Sequence, residues 1–107
     1  MQTSPPESLD SAPTFTPNGL VLRLVVRNHP GVMSHVCGLF ARRGFNLEGI
    51  LCMPVGDSTR SLILLVVDED QRLEQLIRQL RKLEDVLHIE RTPEARAAFA
   101  VAAGWLR

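Results

Sequence analysis

The spacing of hydrophobic residues changes several times along this chain, and each spacing predicts one structural element. From Leu20 to Arg27 the even-numbered residues are all apolar, while arginines interrupt the odd-numbered ones, which is the period of a β-strand. From about Pro30 to Arg43 apolar residues recur at helical spacing, and Gly44 follows as a helix stop. The sequence therefore predicts a strand that runs almost directly into a first helix.

The next segments predict two strands and a second helix. The segment "FNLEGILCMP" predicts a strand that Pro54 ends, and "RSLILLVVD" predicts a strand so apolar that it belongs in the middle of a sheet. In "DEDQRLEQLIRQLRKLEDV" the acids come first, the bases follow and the leucines form one stripe, which indicates an amphipathic helix. "VLHIER" then predicts a fourth strand, and "TPEARAAFAVAAGWLR" predicts a final helix with Thr92 as its cap.

This order of elements, βαββαβ plus a terminal helix, predicts an α+β fold of the ferredoxin-like type. We expect an antiparallel four-stranded sheet with two helices on one face, strands one and three in the centre, and a C-terminal helix. Residues 1–18 are rich in Pro, Ser and Thr and predict a disordered tail. The folded domain is predicted over 19–92 and the Ala-rich helix over 93–107.

Composition excludes several classes of function. Lys plus Arg number 12 and Asp plus Glu number 12, so the 107-residue chain has no net attraction for nucleic acid or anionic lipid. No apolar run approaches the roughly 20 residues of a membrane span and the N-terminus has no secretory pattern, so we expect a cytoplasmic protein. Cys37 and Cys52 lack metal-site spacing and are expected to be buried free thiols.

The turn "NHPG" between the first strand and the first helix is the strongest candidate site. We expect Pro30 at the first helical position, with Asn28 or His29 as the cap. Free amides at the helix start can bind a carboxylate, Gly31 allows close approach, and the carboxamide of Asn28 suits a zwitterion. On these residues alone, a small-molecule site and simple helix capping are about equally supported.

Three other functional hypotheses have less support from the sequence. A metal site would need more ligands than one histidine and one methionine at the turn. An RNA-binding sheet would need aromatic side chains on the central strands, and the chain has no tyrosine. Catalysis would need an activated nucleophile, but His35 and Cys37 are two residues apart on a helix and face different directions. We therefore expect neither catalytic nor metal-binding residues.

The stretch "VRNHPGVMSHVCGLFARRGFNLEGILCMP", followed by "DEDQRLEQLIRQLRKLEDV", resembles the ACT domain of the small regulatory subunit of acetolactate synthase, also called acetohydroxyacid synthase (AHAS). The "NxPGV" turn carries the ACT resemblance, and the likeness runs from about Leu20 to Glu90. With one such domain, the chain resembles the short form of the family.

The resemblance implies a homodimer of ACT domains that share one sheet and bind valine, a feedback inhibitor, at their interface. It implies effector-binding roles for Asn28, Gly31, Val32 and Ser34 around the turn, and for Asn46 from the neighbouring protomer. It also implies a large catalytic subunit that holds thiamine diphosphate, Mg²⁺ and FAD, with no cofactor on this chain. The alternative is an ACT module of another metabolic enzyme, either amino-acid-binding or purely structural.

Three further expectations concern surfaces and one substitution. The edge "NLEGILCM" of strand two carries only Glu48 as a charge, which favours pairing with a second copy. The C-terminal helix is expected to dock on a partner through Phe99, Val101, Trp105 and Leu106, with packing on its own sheet as the alternative. If Gly31 has an ordinary helical φ, Gly31→Asp should fold normally and lose valine inhibition.

Overall fold

The structure is a computed structural model that describes residues 19–68 and 71–105. The predicted tail 1–18 and Leu106 lie outside the described residues. The elements are β1 (Gly19–Arg27), α1 (Val32–Arg42), β2 (Leu47–Val55), β3 (Arg60–Asp68), α2 (Leu73–Arg81), β4 (Val86–Arg91), a 3₁₀ turn (Pro93–Ala95) and α3 (Arg96–Gly104). The predicted βαββαβ order with a terminal helix is confirmed.

The four strands form one antiparallel sheet in the order β2-β3-β1-β4. β1 pairs with β3 over its whole length, from Gly19 opposite Asp68 to Arg27 opposite Arg60. β1 and β3 are therefore central, as their apolar sequences predict, and most of their residues are buried.

Helices α1 and α2 cover one face of the sheet and enclose the main core. The side chains that β1 sends to this face are the even-numbered ones of the predicted alternation: Leu22, Leu24 and Val26. Against them pack residues that recur at helical spacing, namely Val32, Val36, Leu39 and Phe40 of α1 and Leu73, Leu76, Ile77 and Leu80 of α2. Burial of these apolar surfaces is the main stabilising term of the fold.

The other face of the sheet is covered in part by α3. Phe99 is buried against Val21, Leu64 and Val66. Its ring fits because β2 has glycine below it: a Cβ at Gly49 would lie 2.9 Å from Cε1 of Phe99. The expectation that Phe99 docks on a partner is therefore wrong, since this side chain closes a core of its own chain.

The outer residues of α3 remain exposed. Val101 is 66% and Trp105 is 84% accessible. The partner-docking prediction thus stays a prediction for these two side chains and for Leu106, which lies outside the described residues.

Several predicted boundaries are corrected. α1 begins at Val32 rather than Pro30, and α2 spans Leu73–Arg81, so it is shorter than its leucine stripe suggested. Pro54 lies inside β2 instead of ending it, which an edge strand tolerates because one side of it needs no ladder hydrogen bonds. Both cysteines are free as expected, but neither is buried as predicted: Cys37 is half-buried, and Cys52 is exposed because β2 is an edge strand.

Candidate functional site

The β1–α1 turn has a different backbone from the one predicted. Gly31 is the N-cap of α1 with a left-handed φ of 90°, and no side chain caps the helix. The expected arrangement, with Pro30 at the first helical position and Asn28 or His29 as cap, is therefore wrong. Pro30 and Gly31 form a turn ahead of the helix, and glycine is needed there because other residues are strained at positive φ.

The start of α1 presents backbone donors to an open surface. The first amides of an α-helix have no intrahelical acceptor, which applies here to those of Met33 and Ser34. The amide of Val32 makes only a long bond of 3.4 Å to the carbonyl of His29. Among the described residues other than Gly31 and its two chain neighbours, no heavy atom lies within 4 Å of the position that a Cβ on Gly31 would take. A carboxylate can therefore reach these donors, and the helix dipole favours it.

Asn28 ties the turn to the β2–β3 hairpin. Its Nδ2 donates to the carbonyl of Ser58 at 2.8 Å, and its backbone amide donates to the carbonyl of Thr59 at 3.0 Å. The side-chain donor is thus committed to the hairpin. The Oδ1 acceptor is the part of the exposed carboxamide that suits an ammonium group.

The hairpin that receives Asn28 is itself held by an aspartate. Oδ1 of Asp57 accepts hydrogen bonds from the amide of Thr59 at 3.1 Å and from its hydroxyl at 2.7 Å. These bonds, with the hydroxyl bond the larger cause, lower the pKa of Asp57. Ser58 takes a positive φ of 73° at the tip and turns its carbonyl towards Asn28.

His29 ties the turn to a second distant segment, the loop between α2 and β4. Its Nε2 lies 2.6 Å from Oδ2 of Asp85, and its Nδ1 lies 2.6 Å from the carbonyl oxygen of Pro30. The hydrogen bond with Asp85, and after it the contact with the Pro30 carbonyl, raise the pKa of His29. Sequence reasoning missed this role because the partner lies 56 positions away and no local pattern indicates it.

The structure brings four of the five predicted effector residues together. Asn28, Gly31 and Ser34 are exposed around the turn, whereas the side chain of Val32 is 5% accessible and belongs to the core, so only its backbone faces the site. Asn46 precedes β2 at the far end of α1, about 16 Å along an 11-residue helix. Within one chain Asn46 cannot reach the turn.

A cavity of about 270 Å³ lies beside the turn, between the start of α1 and the α2–β4 loop. Its charged lining residues include Lys82, Glu84 and Asp85, and Val32 forms part of its wall. This cavity offers both signs of charge to a zwitterion within a single chain. Asp85, however, is already engaged by His29.

The described residues show neither a metal cluster nor a membrane-spanning helix. Over 19–68 and 71–105, no group of three or more His, Cys, Asp or Glu side chains is arranged to hold a metal ion. Within those same ranges, every helix is too short or too polar to cross a bilayer.

A family model for the AHAS small subunit-like ACT domain matches residues 22–88. The acetolactate synthase isozyme 1 small subunit of Escherichia coli K12 is 63% identical over 84 residues, which cover 78% of this chain and 88% of that protein. The acetolactate synthase small subunit of Mycobacterium bovis is 40% identical over 76 residues, which cover 70% of this chain and 45% of the relative.

Solved structures show the same fold. The acetolactate synthase small subunit of Thermotoga maritima is 34% identical with a TM-score of 0.62, over 68% of this chain and 46% of that one. The regulatory subunit of aspartate kinase from Thermus thermophilus has a TM-score of 0.60 at 19% identity, over 71% of this chain and 51% of the other. At that identity the second likeness supports the fold alone.

Proposed function

The chain belongs to the family of AHAS small subunit-like ACT domains, and on that premise we propose that it is the regulatory small subunit of an acetolactate synthase. In this role it stimulates a catalytic subunit that makes acetolactate from pyruvate, and it confers feedback inhibition by valine. The observation that carries the proposal is the 63% identity with the E. coli isozyme 1 small subunit, over a segment that includes the whole described turn. The alternative, an ACT module of another enzyme, has no comparable support.

We place the valine site at the β1–α1 turn. The carboxylate of the amino acid would accept hydrogen bonds from the amides of Met33 and Ser34, and its ammonium group would donate to Oδ1 of Asn28. Gly31 leaves the approach to these groups open. The two tethers of the turn, Asn28 to Ser58 and His29 to Asp85, support the proposal because they hold the donors in place before the ligand arrives.

The site is proposed to be completed by a second copy of the chain. Asn46 would come from the partner protomer, since it lies at the wrong end of α1 within its own chain. The outer edge of β2 supports such a dimer: its side chains are almost all uncharged, Glu48 being the exception, and an unprotected edge strand favours pairing. Two sheets joined at β2 would form one continuous sheet.

The catalytic subunit, and not this chain, is proposed to hold thiamine diphosphate, Mg²⁺ and FAD. Thiamine diphosphate supplies the carbanion chemistry that joins two pyruvate units. The small subunit would contribute binding energy and regulation, in the cytoplasm, with no nucleic acid or membrane as partner.

Reconstitution with the catalytic subunit tests this function. We expect the chain to raise acetolactate formation and to make it inhibitable by valine, and we expect calorimetry on the chain alone to detect valine but not glycine, which lacks the apolar side chain. Failure of the chain to bind or stimulate any acetolactate synthase catalytic subunit would contradict the proposal. Stimulation without valine binding would retain the subunit assignment and remove the effector site.

A further inference from the structure

A basic pocket lies at the end of the molecule opposite the turn, where α1 ends and α2 begins. Its volume is about 360 Å³, and its lining residues are Arg42, Arg43, Phe45, Arg72, Gln75 and Leu76. The volume falls in the range of roughly 300–1,000 Å³ that is typical of small-molecule sites. Three arginines thus line a cavity large enough for a small organic or inorganic ion.

The described lining of this pocket contains arginines but no acidic residue. The whole chain carries equal numbers of acidic and basic residues, 12 of each. Yet the pocket's described lining contains no carboxylate, and within the described ranges Arg42 and Arg43 form no ion pair. An anion that entered would therefore meet the charges of Arg42 and Arg43, which no described carboxylate pairs.

One arginine is fixed in position by its neighbours. The Cζ of Arg72 lies 4.6 Å from the centre of the Phe45 ring, and its Nη1 donates to the carbonyl of Arg43 at 2.9 Å. Phe45 is anchored in turn by edge-to-face packing on Phe40, with 6.2 Å between ring centres. Stacking and hydrogen bonding reduce the side-chain entropy that a ligand would otherwise have to remove.

Guanidinium groups bind oxyanions through paired, parallel hydrogen bonds, and several of them favour a ligand with more than one anionic group. We propose that this pocket binds a small molecule with two adjacent oxyanion groups, as found in a diphosphate or a dicarboxylate. The site is separate from the proposed valine site, because α1 places about 16 Å between them. It does not depend on the proposed function.

Calorimetric titration of the full chain with inorganic pyrophosphate, and separately with succinate, tests the proposal. We expect saturable binding of at least one probe, with orthophosphate and acetate binding more weakly. The double variant Arg42→Gln/Arg43→Gln should weaken binding at least about tenfold, or ~1.4 kcal/mol. The control Arg81→Gln, which removes one positive charge at the other end of α2, should stay within about twofold.

Two further variants keep the test decisive. Arg43→Lys retains the charge but not the planar fork, and should bind with intermediate affinity even if the double variant were unstable.

Glu69 and Asp70 precede Arg72 and lie outside the described residues, so a variant that neutralises both is included. Binding by this variant alone would show that the chain's own acids occupy the pocket, and would overturn the proposal. The absence of saturable binding to the wild type would also overturn the proposal, as would binding by the Arg42→Gln/Arg43→Gln variant that is as tight as that of the wild type.

Discussion

Helix α1 is bracketed by two left-handed glycines, and its two ends are built in different ways. Gly31, with φ of 90°, begins the helix and faces open space. Gly44, with φ of 75°, follows the other end of the helix, and a Cβ added there would lie 3.7 Å from Nη1 of Arg72. The opening end is held by polar tethers to distant loops. The closing end is held by Phe45 on Phe40. The comparison teaches that similar backbone conformations can leave one end of a helix open and close the other end onto the core.

The largest effect should come from the closing end. Phe45→Ala removes a ring that is 8% accessible and leaves a cavity beneath Arg72, so we expect a loss of about 3–5 kcal/mol in the free energy of unfolding. Urea denaturation of the chain alone measures this. A loss below about 1 kcal/mol would mean that the closing end is not part of the core.

At the opening end, Gly31→Ala should cost about 1–2 kcal/mol through left-handed strain alone, because no described atom would touch the new methyl group. The expectation that Gly31→Asp folds normally is corrected for the same reason, since it assumed an ordinary helical φ. Gly104→Ala is the matched control: Gly104 is helical and equally open, so this change should stabilise by up to about 1 kcal/mol. Equal effects of the two changes would show that Gly31 is not left-handed in solution.

Asn28→Ala should separate ligand binding from folding at the opening end. Loss of the bond to the Ser58 carbonyl should cost about 0.5–1.5 kcal/mol in unfolding. Valine affinity should fall by about tenfold or more, because the ammonium acceptor disappears and the amides lose a tether. Thr59→Val, which removes the hydroxyl bond to Asp57, serves as the control in the same hairpin. If valine bound both variants equally, Asn28 would be a structural residue only.

The smallest effect should be a pH dependence of the second tether. The folded pKa of His29 is raised above 6.5, so the bond to Asp85 stabilises the fold fully below about pH 6.5 and the contribution is lost as pH rises through the folded pKa. The difference in unfolding free energy between the wild type and His29→Gln should therefore be larger at pH 5.5 than at pH 8.5. Asp85→Asn should abolish that difference. A difference that grew with pH would contradict the tether.

The strands and the core face followed from the sequence because their signals are local. The alternation in β1 predicted which residues face the helices, and the apolar run of β3 predicted its central place. These patterns reflect burial, which acts on every residue of an element. The end of α1 at Gly44 was also predictable from a local signal, because glycine adopts the left-handed φ that ends a helix.

The turn and α3 were predicted less well because they depend on contacts between distant segments. Asn28 looked like a helix cap, but the carbonyl of Ser58, 30 positions away, receives its donor. Phe99 looked like a docking residue, but Gly49 on another strand provides its space. Such pairs leave no periodic signal in a single sequence.

The exposed end of α3 carries an intrinsic fluorescence probe, Trp105. Trp105 is the single tryptophan and the chain has no tyrosine, so the indole fluorescence of the chain reports this one side chain. At 84% accessibility its emission should be that of a water-exposed indole. Once the partner's own tryptophan emission is subtracted, a partner that covers Trp105 would shift the emission to shorter wavelength, and one that binds elsewhere would leave it unchanged. The surface used for assembly can thus be located without introducing a label.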